Sequence, residues 1–355
     1  MKQLPKRLGT HPRRLLFAAP LAAMIAALPA SAQSPTRTMS AVQGSRTISI
    51  LSYNVEGLPW PAASGRSNAA DEIAASLEAQ RQAGTAPHVV ALQEAFGADQ
   101  KRIGREAGYS YAAFGPSHRF ASSSPQTTDD RRFVDQASAW LGETLGKHAN
   151  SGLAVFSDYP IVWTKRIAYP DYACAGWDCL ANKGALAVAL AVPGYSQPVV
   201  VVDTHLNSRS ASHAANTRSL YAYRRQVDLL QRFIDQSAQG AGAVILTGDF
   251  NVGLDPIRQA YLGRHLLGAD NLALAAEETE CGQDCREMAD PAEVTAADLK
   301  GAKSLIAFRD TVSTLARGGR PTVFGLKPDG GMLSDHIGLA VRFRSVSMNG
   351  PVRKG

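Results

Sequence analysis

Short apolar runs that end in polar residues recur along this chain, and segments with apolar residues three or four positions apart lie between them. Short runs with partial alternation predict strands, whereas the three-to-four spacing predicts amphipathic helices. The predicted strands cover residues 47–55, 89–92, 152–156, 184–192, 199–203, 243–246 and 337–341, and the predicted helices cover residues 67–83 and 214–236.

The segments between these elements are more polar. Residues 115–132 are rich in Ser, Pro, Thr and Asp, which predicts a long exposed loop. Ser67 is the predicted N-cap of the first helix. The alanine-rich, acidic stretch 267–300 receives no assignment. Because strands alternate with helices and no glycine fingerprint of a dinucleotide fold occurs, we expect an α/β protein with two packed sheets and helices outside them.

The N-terminal 32 residues have the pattern of a signal peptide. Five basic residues precede an apolar stretch over 15–28, and Ala30-Ser31-Ala32 forms a small-x-small cleavage site. The apolar stretch is short of the ~20 residues that span a bilayer, which disfavours the alternative of an uncleaved anchor. We therefore expect export to the periplasm or secretion, a flexible segment over 33–46, and one catalytic domain over 47–347.

Removal of the signal peptide changes the charge argument. The whole chain carries +6, and residues 1–32 hold five Lys or Arg and no Asp or Glu, so the mature chain carries +6 − 5 = +1. The overall charge of the mature chain therefore gives no indication of a nucleic-acid partner. A local basic patch with a bound cation would still allow one.

The four cysteines form two local pairs in the sequence, Cys174 with Cys179 and Cys281 with Cys285. In an exported protein such cysteines are expected to form disulfides, and four cysteines permit three connectivities. Local pairing is favoured. A shared metal site is the alternative, but the tighter spacing or added histidines typical of zinc sites are missing.

Polar residues of hydrolytic type lie at the ends of the predicted strands. Side chains alternate along a strand, so Asp249 and Asn251 point the same way. Asp335 and His336, just before the last strand, supply a carboxylate and an imidazole that titrates near neutrality. Asn54, Glu94 and His205 end three further strands. Together these residue types indicate metal-assisted hydrolysis of a phosphodiester.

Five motifs in this order resemble the endonuclease/exonuclease/phosphatase superfamily, which includes DNase I-like nucleases, inositol phosphatases and neutral sphingomyelinases. They are Ser52-Tyr53-Asn54, Leu92-Gln93-Glu94, Thr204-His205-Leu206, Gly248-Asp249-Phe250-Asn251 and Ser334-Asp335-His336. The resemblance implies a four-layered α/β/β/α sandwich of two packed, mostly antiparallel sheets with outer helices. It places the site where the two sheets open.

The resemblance also implies a metal site. Glu94, helped by Asn54, would hold Mg²⁺ or another hard divalent cation such as Mn²⁺ or Ca²⁺, because oxygen ligands suit these ions. The cation would offset the charge that grows on a phosphate oxygen in the transition state. Asp335 would either reach this metal or orient His336, and the sequence leaves both roles open.

The remaining roles implied by the resemblance concern the attacking water and the phosphate. His336 would be the general base for water. Asp249 and Asn251 would position that water and the phosphoryl oxygens. His205 would donate a hydrogen bond to the phosphate or to the departing oxygen.

One departure from the family pattern concerns a carboxylate. Family members usually carry a further Asp on a strand shortly before the Ser-Asp-His motif, and residues 322–329 contain no such strand pattern. Asp310 and Asp329 are the nearby candidates to replace it. The partner of one histidine is therefore left open.

Three further segments resemble the sphingomyelinase branch of the superfamily. They are residues 54–60, which end in Trp60, residues 150–161, and residues 174–184, which contain Trp177 and Asn182-Lys183-Gly184. Lys183, with Asn182, would contact the substrate phosphate, and the two Trp rings would enter a lipid surface. This resemblance implies a phospholipid membrane surface as the substrate partner, with no obligate protein partner.

Two alternatives remain. A secreted DNase I-like endonuclease would use the same strand ends, with nucleic acid as its substrate. Its phosphate-binding groove would be lined by Arg131, Arg132, Arg209, Arg218, Arg224 and Arg225. A non-catalytic binding module on the same fold is the third hypothesis, but it does not explain why His205, Asp249, Asn251 and His336 are all present.

Overall fold

Two β-sheets, one of seven strands and one of six, form the centre of the structure. This computed structural model describes residues 47–58, 64–122, 126–268, 272–277, 303–310, 315–327 and 329–345. All of these residues belong to one unit, 44–355. The predicted signal peptide (1–32) and flexible segment (33–46) lie outside the described residues. Among the helices that are described, none is both long and apolar enough to cross a membrane.

The strands and helices follow one another along the chain with short connections. The strands are β1 (Thr47–Asn54), β2 (Val89–Gln93), β3 (Tyr111–Phe114), β4 (Ala154–Ser157), β5 (Ile161–Ala168), β6 (Gly184–Leu190), β7 (Val199–His205), β8 (Ala243–Asp249), β9 (Ala273–Glu277), β10 (Ser304–Asp310), β11 (Leu315–Arg317), β12 (Thr322–Phe324) and β13 (Gly338–Ser345). The helices are α1 (Arg66–Gln82), α2 (Ala98–Glu106), α3 (Thr128–Asp135), α4 (Asn216–Ser237) and α5 (Pro256–Leu266).

The pairing of the strands is mostly antiparallel. The first sheet has the order β11-β13-β1-β2-β4-β3, with β12 also on β13, and the second has the order β5-β6-β7-β8-β10-β9. Each sheet contains one parallel pair, β1 with β2 and β7 with β8. These parallel pairs matter for the site, because the C-terminal ends of parallel strands meet at one edge of a sheet.

Helices cover the outer face of each sheet. Ile73 of α1 and Ile103 of α2 pack in a core cluster with outward side chains of β1 and β2. Val227 of α4 and Leu262 of α5 pack in another cluster with outward side chains of β7 and β8. A third cluster of buried aliphatic side chains lies between the two sheets. The expected α/β/β/α sandwich is therefore confirmed.

Every predicted strand and helix is present, with shifts of a few residues at the ends, whereas helices α2, α3 and α5 and strands β3, β5, β9, β10, β11 and β12 were not predicted. Two assignments are corrected. The first helix begins at Arg66 after Gly65, so Ser67 is not its N-cap. The predicted loop 115–132 ends in helix α3, which begins at Thr128. Thr127 accepts a hydrogen bond from Asp130 N–H, and the Asp130 carboxylate accepts one from Thr127 N–H. This capping box starts a helix in a segment whose composition favoured a loop.

The packing between the sheets changes from apolar to polar along the central strands. Inward positions of β1, β2, β7 and β8 begin with aliphatic side chains and become polar toward the C-terminal ends. The first polar layer contains Ser52, Gln93, Asp203 and Thr247, all fully buried. The core between the sheets is therefore apolar at the N-terminal ends of these strands and offers hydrogen-bonding groups near their C-terminal ends, where a site would lie.

Asp203 is the most unusual member of this layer. It directly follows the run Val199–Val202 and is fully buried between the sheets. Its Oδ1 accepts a hydrogen bond of 2.7 Å from Gln93 Nε2, which belongs to the opposite sheet. Burial raises the pKa of Asp203 well above its ordinary value, and the hydrogen bonds from Gln93 and Thr204 only partly oppose this. Asp203 is therefore a neutral carboxylic acid over a pH range where most Asp side chains are charged.

Replacement Asp203→Asn should make stability less sensitive to pH. In the wild type the folded state keeps a proton that the unfolded state loses above its ordinary pKa, so this residue lowers the free energy of unfolding as pH rises. The near-isosteric amide cannot titrate. Urea unfolding at pH 4 and pH 8 should show the variant gaining stability relative to wild type at the higher pH. If the free energies of unfolding of variant and wild type differ by the same amount at both pH values, Asp203 is charged in the folded protein.

Candidate active site

Six polar side chains from the two sheets converge at one edge of the sandwich. β1 and β2 end there, and so do β7 and β8, because each pair is parallel. β13 is antiparallel to β1 and β6 is antiparallel to β7, so both begin at the same edge. We call this the polar edge. It brings together Asn54, Glu94, Lys183, His205, Asp249 and His336.

Asp249 lies at the centre of the group. Its Oδ2 accepts a hydrogen bond of 2.9 Å from Asn54 Nδ2 across the two sheets. The Nε2 atoms of His205 and His336 each lie 3.6 Å from the same oxygen. Asp249 is 1% exposed, so its carboxylate acts in a water-poor environment where these interactions are strong. One carboxylate is thus shared by an amide and two imidazoles.

Glycine is required at position 248, just before Asp249, because the backbone of β7 lies too close for a side chain there. A Cβ atom at this position would lie 2.1 Å from the carbonyl oxygen of Thr204, and the backbone has φ +149°. Glycine therefore allows β7 and β8 to run together up to their polar ends.

Glu94 supplies the second carboxylate. Its Oε1 accepts a hydrogen bond of 3.0 Å from Asn54 Nδ2, while its buried Oε2 has no hydrogen-bond partner among the described residues. Burial raises the pKa of Glu94 to about 6, against the opposing effect of the Asn54 hydrogen bond. Its φ is +56°, an uncommon value for a residue other than glycine. This conformation turns the side chain out of the strand and toward Asn54.

Asn54 is oriented by its own loop. Its Oδ1 accepts a hydrogen bond of 3.0 Å from Glu56 N–H, and its Nδ2 donates to both Glu94 and Asp249. The amide thus holds the two carboxylates together and directs its NH₂ group, rather than its oxygen, at them. Its role as a metal ligand stays a prediction.

His205 and Lys183 form a buried pair on the second sheet. Lys183 Nζ lies 3.2 Å from His205 Nε2, and it also donates to Leu206 O and Asp178 Oδ2 at 3.0 and 2.9 Å. Burial, followed by the nearby ammonium, lowers the pKa of His205 to about 3. His205 is therefore a neutral imidazole at physiological pH. It can donate or accept a hydrogen bond but does not carry a positive charge.

A disulfide closes the loop that carries Asp178. Cys174 and Cys179 are bonded, which confirms the local pairing predicted for them. Asp178 lies between them in sequence and binds both Lys183 Nζ and Ser208 N–H. The sequence analysis did not select Asp178. A carboxylate among the four residues between two paired cysteines was the available signal, since so short a disulfide loop holds its side chains in place.

Asn251 follows Asp249 in a left-handed conformation. Its φ is +47°, and its N–H donates to Asp249 Oδ1 at 3.0 Å. Its Nδ2 donates to Leu206 O at 3.1 Å, which links the loop after β8 to the loop after β7. Strained backbone of this kind persists where surrounding contacts hold it, and it is frequent in functional sites.

His336 has a carboxylate neighbour that its local sequence did not indicate. Its Nε2 lies 3.6 Å from Asp249 Oδ2 and 3.9 Å from Asp335 Oδ1, and the Asp335 side chain is 59% exposed. Asp310 ends β10 beside Ala243, at the edge opposite to the site. Asp329 accepts a hydrogen bond from Gly331 N–H within a turn. Neither is brought to His336, and Asp249 is its closer carboxylate.

The loops before His336 and after Asn54 are joined by two residues that the sequence analysis missed. Arg66 donates to the carbonyl oxygens of Val55 and Leu333, each at 2.8 Å. Glu56 pairs with Arg66 at 3.2 Å and accepts a hydrogen bond from Asp335 N–H. No pattern in the sequence indicates these contacts, because they join segments far apart in the chain.

The other selected residues are placed as follows. Asn182 is 3% exposed, and its Nδ2 donates to Ser117 O and Phe120 O, so it holds the loop after β3. Its contact with substrate stays a prediction. Trp60, Cys281 and Cys285 lie outside the described residues.

The chemistry of the donor set fits a hard cation. Among the described residues, no group of three or more His, Cys, Asp or Glu side chains has the arrangement of a protein-only metal cage. Glu94, however, presents a buried carboxylate oxygen without a hydrogen-bond partner, close to the carboxylate of Asp249. Mg²⁺ is commonly bound by one or two carboxylates, with water and phosphate oxygens completing its shell.

Several solved structures share this fold. Sphingomyelinase C from Streptomyces griseocarneus is 20% identical with a TM-score of 0.56, and the match covers 85% of this chain and 99% of that chain. A beta toxin variant from Staphylococcus aureus with bound magnesium ions is 16% identical with a TM-score of 0.53, covering 84% and 99%. TDP2 from D. rerio, complexed with a single-strand DNA product, is 16% identical with a TM-score of 0.52, covering 84% and 99%.

No curated protein matches the sequence. At these levels of identity the structural similarities establish the fold. The family follows from the sequence itself, because the model of the Endonuclease/Exonuclease/phosphatase family matches residues 51–337, from the strand that carries Asn54 to the residue after His336. The chain therefore belongs to the Endonuclease/Exonuclease/phosphatase family, a family of phosphate-ester hydrolases.

Proposed function

We propose that this protein is an exported, divalent-cation-dependent phosphodiesterase that hydrolyses choline phospholipids and releases phosphocholine, with water as the nucleophile. The main support for a lipid substrate is the distribution of exposed apolar side chains around the polar edge. The export step rests on the signal-peptide pattern of residues 1–32.

Exposed apolar side chains are concentrated on the segments that connect strands at the polar edge and on the strand and helix ends next to them. Among the described residues, eleven large hydrophobic side chains are exposed, and only Tyr111 and Val162 belong to the strand ends opposite to the polar edge. The others are Leu58, Phe114, Phe120, Trp140, Leu145, Trp177, Leu254, Ile257 and Met332. A set of apolar and aromatic side chains around a hydrolytic site suits entry into the interface of a bilayer.

The basic residues support the nuclease alternative less well. Two of the six arginines considered for a phosphate groove pair with buried carboxylates: Arg218 with Glu143 and Arg225 with Asp130. Phosphate tracking needs cations free to replace the counterions of the nucleic acid. The arrangement therefore favours lipid over nucleic acid, although TDP2 from D. rerio was solved with a DNA product.

A hard divalent cation, most suitably Mg²⁺, would be held by Glu94 with water and substrate oxygens. The unpaired buried Oε2 of Glu94 and the magnesium ions bound to a beta toxin of the same fold support this assignment. When bound, such an ion offsets the charge that develops on a phosphate oxygen. It would also stabilise the charged form of Glu94, whose pKa is raised by burial.

His336 and Asp249 would activate the water. His336 is 6% exposed at the polar edge, and its Nε2 faces the Asp249 carboxylate at 3.6 Å. In that position the imidazole accepts the proton of the attacking water while Asp249 stabilises the imidazolium that forms. Asn251, fixed beside Asp249, orients the water and a phosphoryl oxygen. His205, kept neutral, donates a hydrogen bond to the phosphate or to the departing oxygen.

Lys183 would contribute electrostatically. Its ammonium is 5% exposed and is already bound by Asp178, Leu206 O and His205. Because the Lys183 ammonium lies 3.2 Å from His205 Nε2, its positive charge favours a phosphate next to His205 even without direct contact. The non-catalytic module is disfavoured, because a decayed site would have no reason to keep two carboxylates and two histidines in contact.

Removal of His336 or Asp249 should nearly abolish turnover while leaving the protein folded. A positioned general base alone accelerates a reaction by roughly 10²–10⁴-fold. His336→Ala should therefore lower kcat by at least that factor, and Asp249→Ala should do the same. Steady-state kinetics on bis(p-nitrophenyl) phosphate, with circular dichroism for the fold, tests this. His265→Ala, at the end of α5, and Asp235→Ala, which pairs with Arg309 near the opposite edge, are the controls. Wild-type rates in either site variant would remove that residue from the mechanism.

A substrate panel should separate the lipid and nucleic-acid alternatives. Mature protein with Mg²⁺ is expected to release phosphocholine from sphingomyelin vesicles, to lose this activity in chelator and to regain it when Mg²⁺ is restored. Phosphatidylcholine vesicles, plasmid DNA and bis(p-nitrophenyl) phosphate complete the panel. Degradation of DNA with intact vesicles would establish the nuclease alternative. Inactivity on all four substrates would leave the non-catalytic binding module as the remaining hypothesis.

Loss of an exposed aromatic side chain at the polar edge should slow hydrolysis only at a membrane. Trp140→Ala and Trp177→Ala each remove an aromatic anchor, and a loss of about 1.4 kcal/mol of interfacial binding corresponds to about tenfold. Vesicle hydrolysis should fall by about that factor, with the rate on bis(p-nitrophenyl) phosphate unchanged. Tyr111→Ala, at the opposite edge, is the matched control. Equal rates on vesicles for all variants would exclude this surface from lipid binding.

A further inference from the structure

Arg258 is the largest fully buried side chain of the described residues, and it lies directly behind the site. It belongs to the first turn of α5, whose N-cap Asp255 accepts hydrogen bonds from Ile257 N–H and Arg258 N–H. A guanidinium is costly to bury, and burial lowers the pKa of Arg258. Such a group persists where its hydrogen bonds serve a purpose, so its partners are informative.

The partners of Arg258 are the two loops that carry the second-sheet half of the site. Nη1 donates to Asn207 O at 2.7 Å and to Asn251 O at 2.9 Å, while Nη2 donates to Ser219 Oγ of α4. The guanidinium also lies 4.4 Å from the ring centroid of Tyr223. One nitrogen therefore joins the backbone after β7, two residues beyond His205, to the backbone after β8 at Asn251.

The contact at Asn251 has a specific conformational effect. Asn251 has φ +47°, which costs free energy for a residue with a side chain. Its carbonyl oxygen is held by Arg258 and its side chain by Leu206 O, so the strained backbone is fixed from both ends. The same conformation directs Asn251 N–H at Asp249 Oδ1. Arg258 thus reaches the site without touching it.

A wider buried network holds the other side of the Asn207 loop. Asn207 N–H donates to Gln226 Oε1 of α4 at 2.6 Å, and Asn207 Oδ1 accepts from Ala175 N–H of the disulfide loop at 2.9 Å. Ser219 Oγ donates to Ser208 O at 3.1 Å. These hydrogen bonds fix the Asn207 end, so a change at Arg258 is transmitted mainly to the Asn251 end.

We propose that Arg258 is a positioning residue for the phosphodiesterase reaction, which sets the geometry of Asn251 and Asp249 by joining the loops after β7 and β8. The role depends on the planar fork of arginine, because one guanidinium nitrogen serves two carbonyls while the other is anchored on α4. A lysine side chain is shorter than that of arginine and ends in a single nitrogen, so it cannot hold both carbonyls and keep the separate anchor on Ser219. The expected effect of Arg258 on turnover rests on the proposed function. Its effect on the position of the two loops rests only on the hydrogen bonds described above.

The kinetic test compares Arg258→Lys with Arg81→Lys. Arg81 of α1 lies 4.3 Å from the ring centroid of Tyr109 and donates to the backbone carbonyl of Ala107, but these partners lie just before β3, at the edge opposite to the site, so it is the matched control. For Arg258→Lys we expect kcat to fall about 100-fold, the cost of misplacing a reacting group by about 1 Å, with KM nearly unchanged. Arg81→Lys should retain wild-type kinetics. A rise in KM alone, or equal effects at both positions, would contradict the proposal.

A double-mutant cycle separates positioning from a general loss of stability. If Arg258 acts through Asn251, then Arg258→Lys should lower kcat less in an Asn251→Ala background than in the wild type, because only the effect through the backbone N–H on Asp249 remains. Effects that multiply independently would show that Arg258 acts elsewhere, and the proposal would fail. Melting temperatures of all four proteins provide the control for folding.

Hydrogen–deuterium exchange of residues 249–253 gives a result that does not depend on activity. Exchange in this segment should be faster in Arg258→Lys than in the wild type, with unchanged exchange in the centre of β8. Ser219→Ala, which removes the anchor of Nη2 together with the hydrogen bond to Ser208 O, should give an intermediate rate and is the variant to use where Arg258→Lys does not fold. Wild-type exchange in the variant measured would overturn the proposal. Wild-type protein inactive on every phosphodiester would refute the proposed function and leave this measurement valid.

Discussion

The hydrogen bond from Asn54 to Asp249 crosses between the two sheets, and the candidate site depends on the packing that makes it possible. The first sheet supplies Asn54 and Glu94, whereas the second supplies Asp249 and His205. Neither sheet contains a complete set of groups for hydrolysis. The aliphatic side chains between the sheets therefore do more than stabilise the fold, because they set the distance at which a single amide bridges two carboxylates.

Two arginines fix the loops on either side of this bridge, in different environments. Arg66 is ion-paired with Glu56 and joins the loops around Asn54 and His336. Arg258 is fully buried, binds uncharged acceptors and joins the loops after β7 and β8. On the loops that each arginine joins, the acceptors are backbone carbonyls, so these contacts do not depend on the side chains of the loop residues.

Much of the site could be predicted from the sequence because its residues stand at the ends of apolar strands, where a local pattern suffices. Asp249 and Asn251 are examples, and the alternation of strands and helices gave the layered fold. Contacts between distant segments could not be predicted. The carboxylate next to His336 was sought in Asp310 and Asp329, which are near it in sequence, whereas Asp249 is near it in space. Asp203 and Arg258 carry no local signal of their partners.

The pairing of β1 with β13 has a consequence for how the protein forms. These strands, Thr47–Asn54 and Gly338–Ser345, are separated by nearly 300 residues, so β1 gains this neighbour only after all the intervening residues have been synthesised. Contacts of such large sequence separation make folding slow. A chain still being synthesised would thus lack His336 beside Asp249, and the candidate site would be completed late in folding rather than gradually.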